Sequence, residues 1–91
     1  MDEVYEKLVY DGRTHVRLAS LPDMWERTIT VSSCGKTFSS TGWKVGWVYG
    51  HADLIKPVML ANQWVQFSVS TVSIPFCQFK TCIVYMVNIM C

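Results

Sequence analysis

Lysines give the first chemical lead in this chain. Lys36 and Lys44 stand eight residues apart in "SSCGKTFSSTGWKVGW", among small and hydroxyl-bearing residues. A lysine attacks an aldehyde or ketone only when deprotonated, and desolvation or a neighbouring cation favours that form. Gly35, directly before Lys36, lets the backbone turn tightly and leaves room for a flat ligand. Ser33, Thr37, Ser39, Ser40 and Thr41 offer hydroxyls to a phosphate, and Lys44 offers it a positive charge.

Upstream, Asp2 and Tyr5 lie three residues apart. An aspartate can hold a pyridinium N–H, and a tyrosine can hydrogen-bond a phenolate oxygen. Together with an imine-forming lysine and a cationic phosphate clamp, these are the parts that pyridoxal 5′-phosphate needs. A plainer reading fits the same residues. A Ser/Thr-rich turn with two lysines is commonly a solvated loop, with Asp2 as a helix cap and Tyr5 as a core aromatic.

Elements must position these groups. "MWERTITVSS" carries Ile29 and Val31 among threonines, a strand signal, and it delivers Lys36 just past the strand end. "TFSST" predicts one helical turn that Gly42 ends, and "KVGWVYG" a second strand closed by Gly50. "HADLIKPVMLANQWVQFSVS" places Leu54, Ile55, Val58, Met59, Ala61 and Val65 at helical spacing. Pro57 predicts a late start or a bend in that helix. Earlier, "HVRLASL" alternates, with Val16 and Leu18 inward. Trp25 and Trp43 are expected as core or framework aromatics, and His15 and His51 on surface loops. Strand, loop, strand and long helix together predict an α/β layered protein.

With 91 residues, the chain makes one small domain at most. Charged residues are 16% and hydrophobic ones 51%, too apolar for a disordered segment. Such a balance suits a piece of a larger protein whose faces await a neighbour. A net charge of +1 gives no electrostatic case for nucleic acid or an anionic membrane. Cys34, Cys77, Cys82 and Cys91 match no zinc spacing, and no metal is expected. The acidic "MDEVYEKLVY" has no signal-peptide core, so reduced thiols and a cytoplasmic location are expected. A mitochondrial location stays open, since any targeting segment would lie upstream of Met1. The apolar run "CIVYMVNIM" falls far short of the roughly 20 residues that span a membrane.

The segments "DEVYEKLVYDG", "LPDMWERTITVSSCGKTFSSTGWKVGWVYG" and "LANQWVQFS" resemble the class I aminotransferases. Within that family they are similar to the kynurenine–oxoglutarate transaminase and cysteine-S-conjugate β-lyase branch, also called glutamine transaminase K. The resemblance runs from Asp2 to about Thr71. It implies an α/β fold: a piece of the large domain of a fold-type-I pyridoxal-phosphate enzyme, with two or more strands and a long helix. It makes Lys36 the imine lysine, sets Asp2 at the pyridine nitrogen and Tyr5 at the O3′ oxygen, and puts Ser33 and Lys44 at the phosphate. Many members carry arginine where Lys44 stands. The implied activity moves an amino group between an amino acid and a 2-oxo acid, with β-lyase chemistry on cysteine conjugates, in a homodimer. Asp23 stands where the family tends to have a small residue, and Cys34 where alanine is common.

The same resemblance marks what lies outside the match. The ring-stacking aromatic, an asparagine at O3′ and the arginine for the substrate carboxylate are not among the matching segments. Residues 1–71 therefore read as a partial cofactor-binding domain, and 72–91 as an unrelated apolar tail. Little activity is expected of the chain alone. The alternative is an inactive truncated isoform or translated artefact, at most a dimerisation partner of the full-length enzyme.

Overall fold

The computed structural model describes residues 1–66 and a short strand at 85–87. The rest of the expected 72–91 tail lies outside the described residues.

Strand β1 (Ile29–Ser33) forms where the β-branched Ile29, Thr30 and Val31 run together, and it pairs antiparallel with β2 (Gly46–Gly50). Thr30 faces Tyr49 and Val31 faces Val48 across the ladder. A third strand, β3 (Tyr85–Val87), pairs antiparallel with β2, giving the order β1-β2-β3. On the other side of β1 the N-terminal segment adds a parallel bridge, Asp2 to Val31. Two backbone hydrogen bonds of 2.9 Å hold it: Glu3 N–H donates to the Val31 carbonyl, and Val31 N–H to that of Met1.

Successive residues of an extended segment point to opposite faces. Asp2 and Val31 therefore share one face, and Glu3, Thr30 and Tyr49 the other. The hydroxyl residues at and just before β1 form its more buried side. Thr28, Thr30 and Ser32 are buried, while Ile29 and Val31 are half-buried.

Helix α2 (Ala52–Val65) covers the sheet through Ile55, which is buried with Val45 and Val48. Ile55 Cδ1 reaches 3.7 Å from the place of a Cβ on Gly50. That same Cβ would lie 2.7 Å from the Thr28 carbonyl oxygen, so glycine is required at this crossing. Leu54, Val58 and Met59 are half-buried, but Ala61 and Val65 of the expected stripe are exposed. Trp64 beside them is 90% exposed.

Several expectations are corrected. The helix begins at Ala52, ahead of Pro57, rather than late. His51 explains this: its Nδ1 accepts the Asp53 N–H at 3.4 Å, and its carbonyl accepts from Leu54 and Ile55 at 3.0 Å. A capped first turn tolerates the proline that follows it. His51 is thus a helix cap and not a bare loop residue. Residues 13–17 form no strand of the sheet, and Val16 is exposed rather than inward. Trp25 and Trp43 are exposed, not core. Among the described residues, no helix is long and apolar enough to cross a membrane.

Candidate functional site

The loop after β1 is built from hydroxyls and short turns. A single helical turn, α1 (Cys34–Thr37), starts directly at the strand end, earlier than expected, and carries Lys36. Its origin is fixed to the sheet: Cys34 N–H donates to the Val45 carbonyl at 3.0 Å. The Ser40 hydroxyl donates to the Cys34 carbonyl at 3.0 Å, and the Thr41 hydroxyl to that of Gly35 at 3.2 Å. The Thr37 hydroxyl reaches the Val4 carbonyl at 3.4 Å, tying the loop to the N-terminal segment. Three of the hydroxyls offered by the sequence to a phosphate thus give their protons to the backbone.

A 3₁₀ turn follows at Thr41–Trp43, with Gly42 inside it rather than at its end. The chain leaves this turn through Lys44 at φ +54°, ψ +41°. A left-handed backbone at a lysine costs about 1–2 kcal/mol relative to the right-handed region. Gly35 has a different constraint. A Cβ there would meet Thr41 Cα at 3.3 Å, Thr41 Oγ1 at 3.4 Å and Ser33 Oγ at 3.5 Å. A side chain there would require Thr41 to give by a few tenths of an ångström, so glycine suits this close approach.

These elements enclose a cleft of about 120 Å³. Asp2, Ser33, Lys36 and Lys44 all line it, with Val4, Val31 and Val45 as its apolar wall. Four of the five residues predicted for the site therefore converge. Tyr5, the fifth, is exposed and stands apart from the cleft lining. It is not a core aromatic either. Asp2 shows its own local bond: Oδ1 accepts the Val4 N–H at 3.0 Å, which fixes the carboxylate against the turn that follows. Among the described residues lining the cleft there is no aromatic ring.

The sequence reading missed a second group, on the opposite face. The Glu3 side chain is 1% exposed. Its Oε1 accepts the Leu18 N–H at 3.3 Å and lies 3.7 Å from His15 Nε2. Its Oε2 accepts from the Tyr49 hydroxyl at 3.5 Å and lies 3.9 Å from Arg17 Nε. Arg17 also binds Glu6 through Nη2 at 2.7 Å. That hydrogen bond holds the Glu6 carboxyl below its ordinary range and raises the Arg17 guanidinium in turn. Burial pushes the Tyr49 phenol up. His15 is therefore half-buried beside the Glu3 carboxylate rather than on an open surface loop. The available signal was the alternation of "DE" on an extended segment, which must send one acid inward.

The sequence pattern of aminotransferase class I and II matches residues 1–78, and the chain belongs to that family. Within it, the chain is 57% identical over 70 residues to the kynurenine–oxoglutarate transaminase of Dictyostelium discoideum, covering 77% of this chain and 16% of that one. It is 64% identical over 62 residues to kynurenine–oxoglutarate transaminase 3 of Mus musculus, covering 68% and 14%. Among solved structures it is similar to N-succinyldiaminopimelate aminotransferase from Mycobacterium tuberculosis. That match has a TM-score of 0.71 at 51% identity, over 76% of this chain and 18% of that one. The fold is thus a piece of the α/β aminotransferase large domain, and the chain spans about a sixth of the relatives it matches.

Proposed function

We propose that this chain is the cofactor-holding segment of a pyridoxal-phosphate-dependent aminotransferase. Its substrates are an amino acid of kynurenine or glutamine type and a 2-oxo acid. The observation that supports this best is the convergence of Asp2, Ser33, Lys36 and Lys44 on one cleft. The donor set suits the group: a carboxylate for a pyridinium N–H, an amine for an aldehyde, and a hydroxyl and an ammonium for a phosphate. The cradle at Gly35, which a Cβ would crowd, suits a flat ligand close to the backbone.

When bound, the cofactor supplies an electron sink for the carbanion at the substrate Cα. This chain's residues do the rest. Lys36 would hold the aldehyde carbon, and its amine would serve as base and acid for the proton at the substrate Cα. Asp2 would accept the ring N–H and favour the protonated nitrogen. Ser33 and Lys44 bind the phosphate, Lys44 as a point charge where arginine would give a fork. Family resemblance gives Tyr5 the O3′ oxygen, a role that its exposed place outside the cleft lining does not support. Expulsion of a β-leaving group from a cysteine conjugate uses the same Cα proton transfer.

These 91 residues alone are proposed to turn over slowly, since the described cleft has no ring to cover the cofactor and preorganisation is incomplete. A second reading makes the chain a catalytically silent partner in a dimer with full-length enzyme. Co-purification of tagged chain with full-length enzyme checks it.

Borohydride trapping tests the first reading. Chain incubated with pyridoxal phosphate and reduced should carry the cofactor on Lys36, identified by peptide mass spectrometry. Lys36→Ala should abolish that label. Equal labelling of Lys7, Lys36, Lys44 and Lys56 would sink the assignment.

A further inference from the structure

We propose that Glu3 is the positioning residue for Asp2, gripped from behind so that its neighbour's carboxylate stays at the cleft. The inference rests on the reading of Asp2 as the cofactor's partner.

Asp2 itself is exposed, on a segment that joins β1 through one parallel bridge and through the Met1 ammonium, which donates to the Ile29 carbonyl at 2.8 Å. So short a pairing at an edge frays readily. Asp2 still needs a fixed position, because a carboxylate holds a ring nitrogen only at hydrogen-bond distance. Its own side chain supplies one short-range bond, to Val4 N–H. What anchors the segment is the next residue. The Glu3 backbone N–H is bound to the Val31 carbonyl, and its side chain is buried on the far face of the sheet.

An isolated buried carboxylate would be expelled to water. Here donors come from two directions. Leu18 N–H, with His15 and Arg17 beside it, comes from the 15–18 segment, and the Tyr49 hydroxyl from β2. Arg17 continues to Glu6 and so closes the turn after Asp2 from outside. The bridge to Val31 and the grip on Glu3 act on opposite sides of one extended dipeptide. Asp2 cannot leave the cleft without pulling Glu3 from its donors. Glu3 never touches the cleft, so it acts through Asp2 alone.

The test uses the full chain without cofactor and then with pyridoxal phosphate. In Glu3→Ala, amide exchange at Val31 and Val4 should quicken about tenfold, with the β1–β2 ladder unchanged. Glu3→Gln keeps an acceptor for Leu18 N–H and should fold even if the alanine variant does not. It should quicken the same amides by about threefold. Unchanged exchange at both amides in the variant that folds overturns the proposal.

Pyridoxal phosphate affinity is then measured in Glu3→Gln, Asp2→Asn and the double variant. Each single change should weaken binding, and the double should lose no more than Asp2→Asn alone. Losses that multiply mean Glu3 acts by general stability, which also overturns the proposal. A chain that takes up no cofactor, with the exchange result intact, fails the cofactor reading and leaves the grip on Asp2 standing.

Discussion

Asp2 and Glu3 are neighbouring acids in opposite surroundings. Asp2 lines an open cleft with two exposed lysines, and its carboxylate accepts a hydrogen bond from the turn beside it. Glu3 is buried among His15, Arg17, Tyr49 and the Leu18 amide. The same chemistry serves two purposes because the pleat sends them to different faces. Charges on the cleft face are left accessible to a ligand. Charges on the other face are used within the protein, where desolvation makes each partner costly to remove.

Deleting one cation from each face puts this contrast to the test. Arg17→Met leaves Glu3 with the Leu18 amide, the Tyr49 hydroxyl and His15, and leaves Glu6 with Lys7 at 3.9 Å. It should cost about 1–2 kcal/mol in urea unfolding, discounted because Arg17 is itself half-exposed. Lys36→Ala removes an exposed cleft lysine and should change stability by about 0.5 kcal/mol or less. Cofactor trapping should show the reverse order, retained in Arg17→Met and lost in Lys36→Ala. Equal stability losses in the two variants would erase the distinction between the faces.

The sequence showed one face far better than the other. β1, β2 and α2 carry periodic patterns, and local pattern is enough to place them. Lys36 was legible because glycine and hydroxyls around a lysine are unusual company. Glu3 was not, because most glutamates are solvated and nothing local reveals a partner 46 positions away at Tyr49. His15 was hidden for the same reason. The late start expected from Pro57 does not occur because the cap at His51, which secures the turn before it, depends on a side-chain geometry that composition does not carry. Asp23 gained a physical account only from the backbone. It sits at φ +58°, where a residue without a Cβ is most at ease.

Lys44 sharpens the contrast at smaller cost. It combines a left-handed backbone with a charge at the cleft, so strain and ligand binding meet in one residue. Lys44→Gly relieves the backbone but adds unfolded-state entropy, for a net gain of about 0.5 kcal/mol. Pyridoxal phosphate should bind about tenfold more weakly, through loss of the charged contact. Lys44→Arg keeps both the strain and the charge, and should leave stability and affinity near those of the parent. Thermal melts and cofactor titrations of the pair check this. If Lys44→Gly binds cofactor as tightly as the parent, the phosphate role fails while the strain account survives.

The smallest effect concerns pH on the Glu3 face. Arg17 holds the Glu6 carboxyl below its ordinary 4.5, chiefly through their hydrogen bond. The charged form is therefore favoured by folding. Its contribution is present above pH 4.5 and is lost as pH falls through the lower folded value. The pair is near the surface, so about 0.5 kcal/mol is at stake, and salt should shrink it. Tyr49 behaves oppositely. Burial raises its phenol above the ordinary 10.0, so its contribution holds below pH 10 and is lost as pH climbs through the folded value. Subtracting Glu6→Gln from the parent at each pH should give a difference that is flat near neutrality and vanishes toward pH 3. A difference that persists at pH 3 would mean that Glu6 acts by packing, and that Arg17 grips Glu3 without its help.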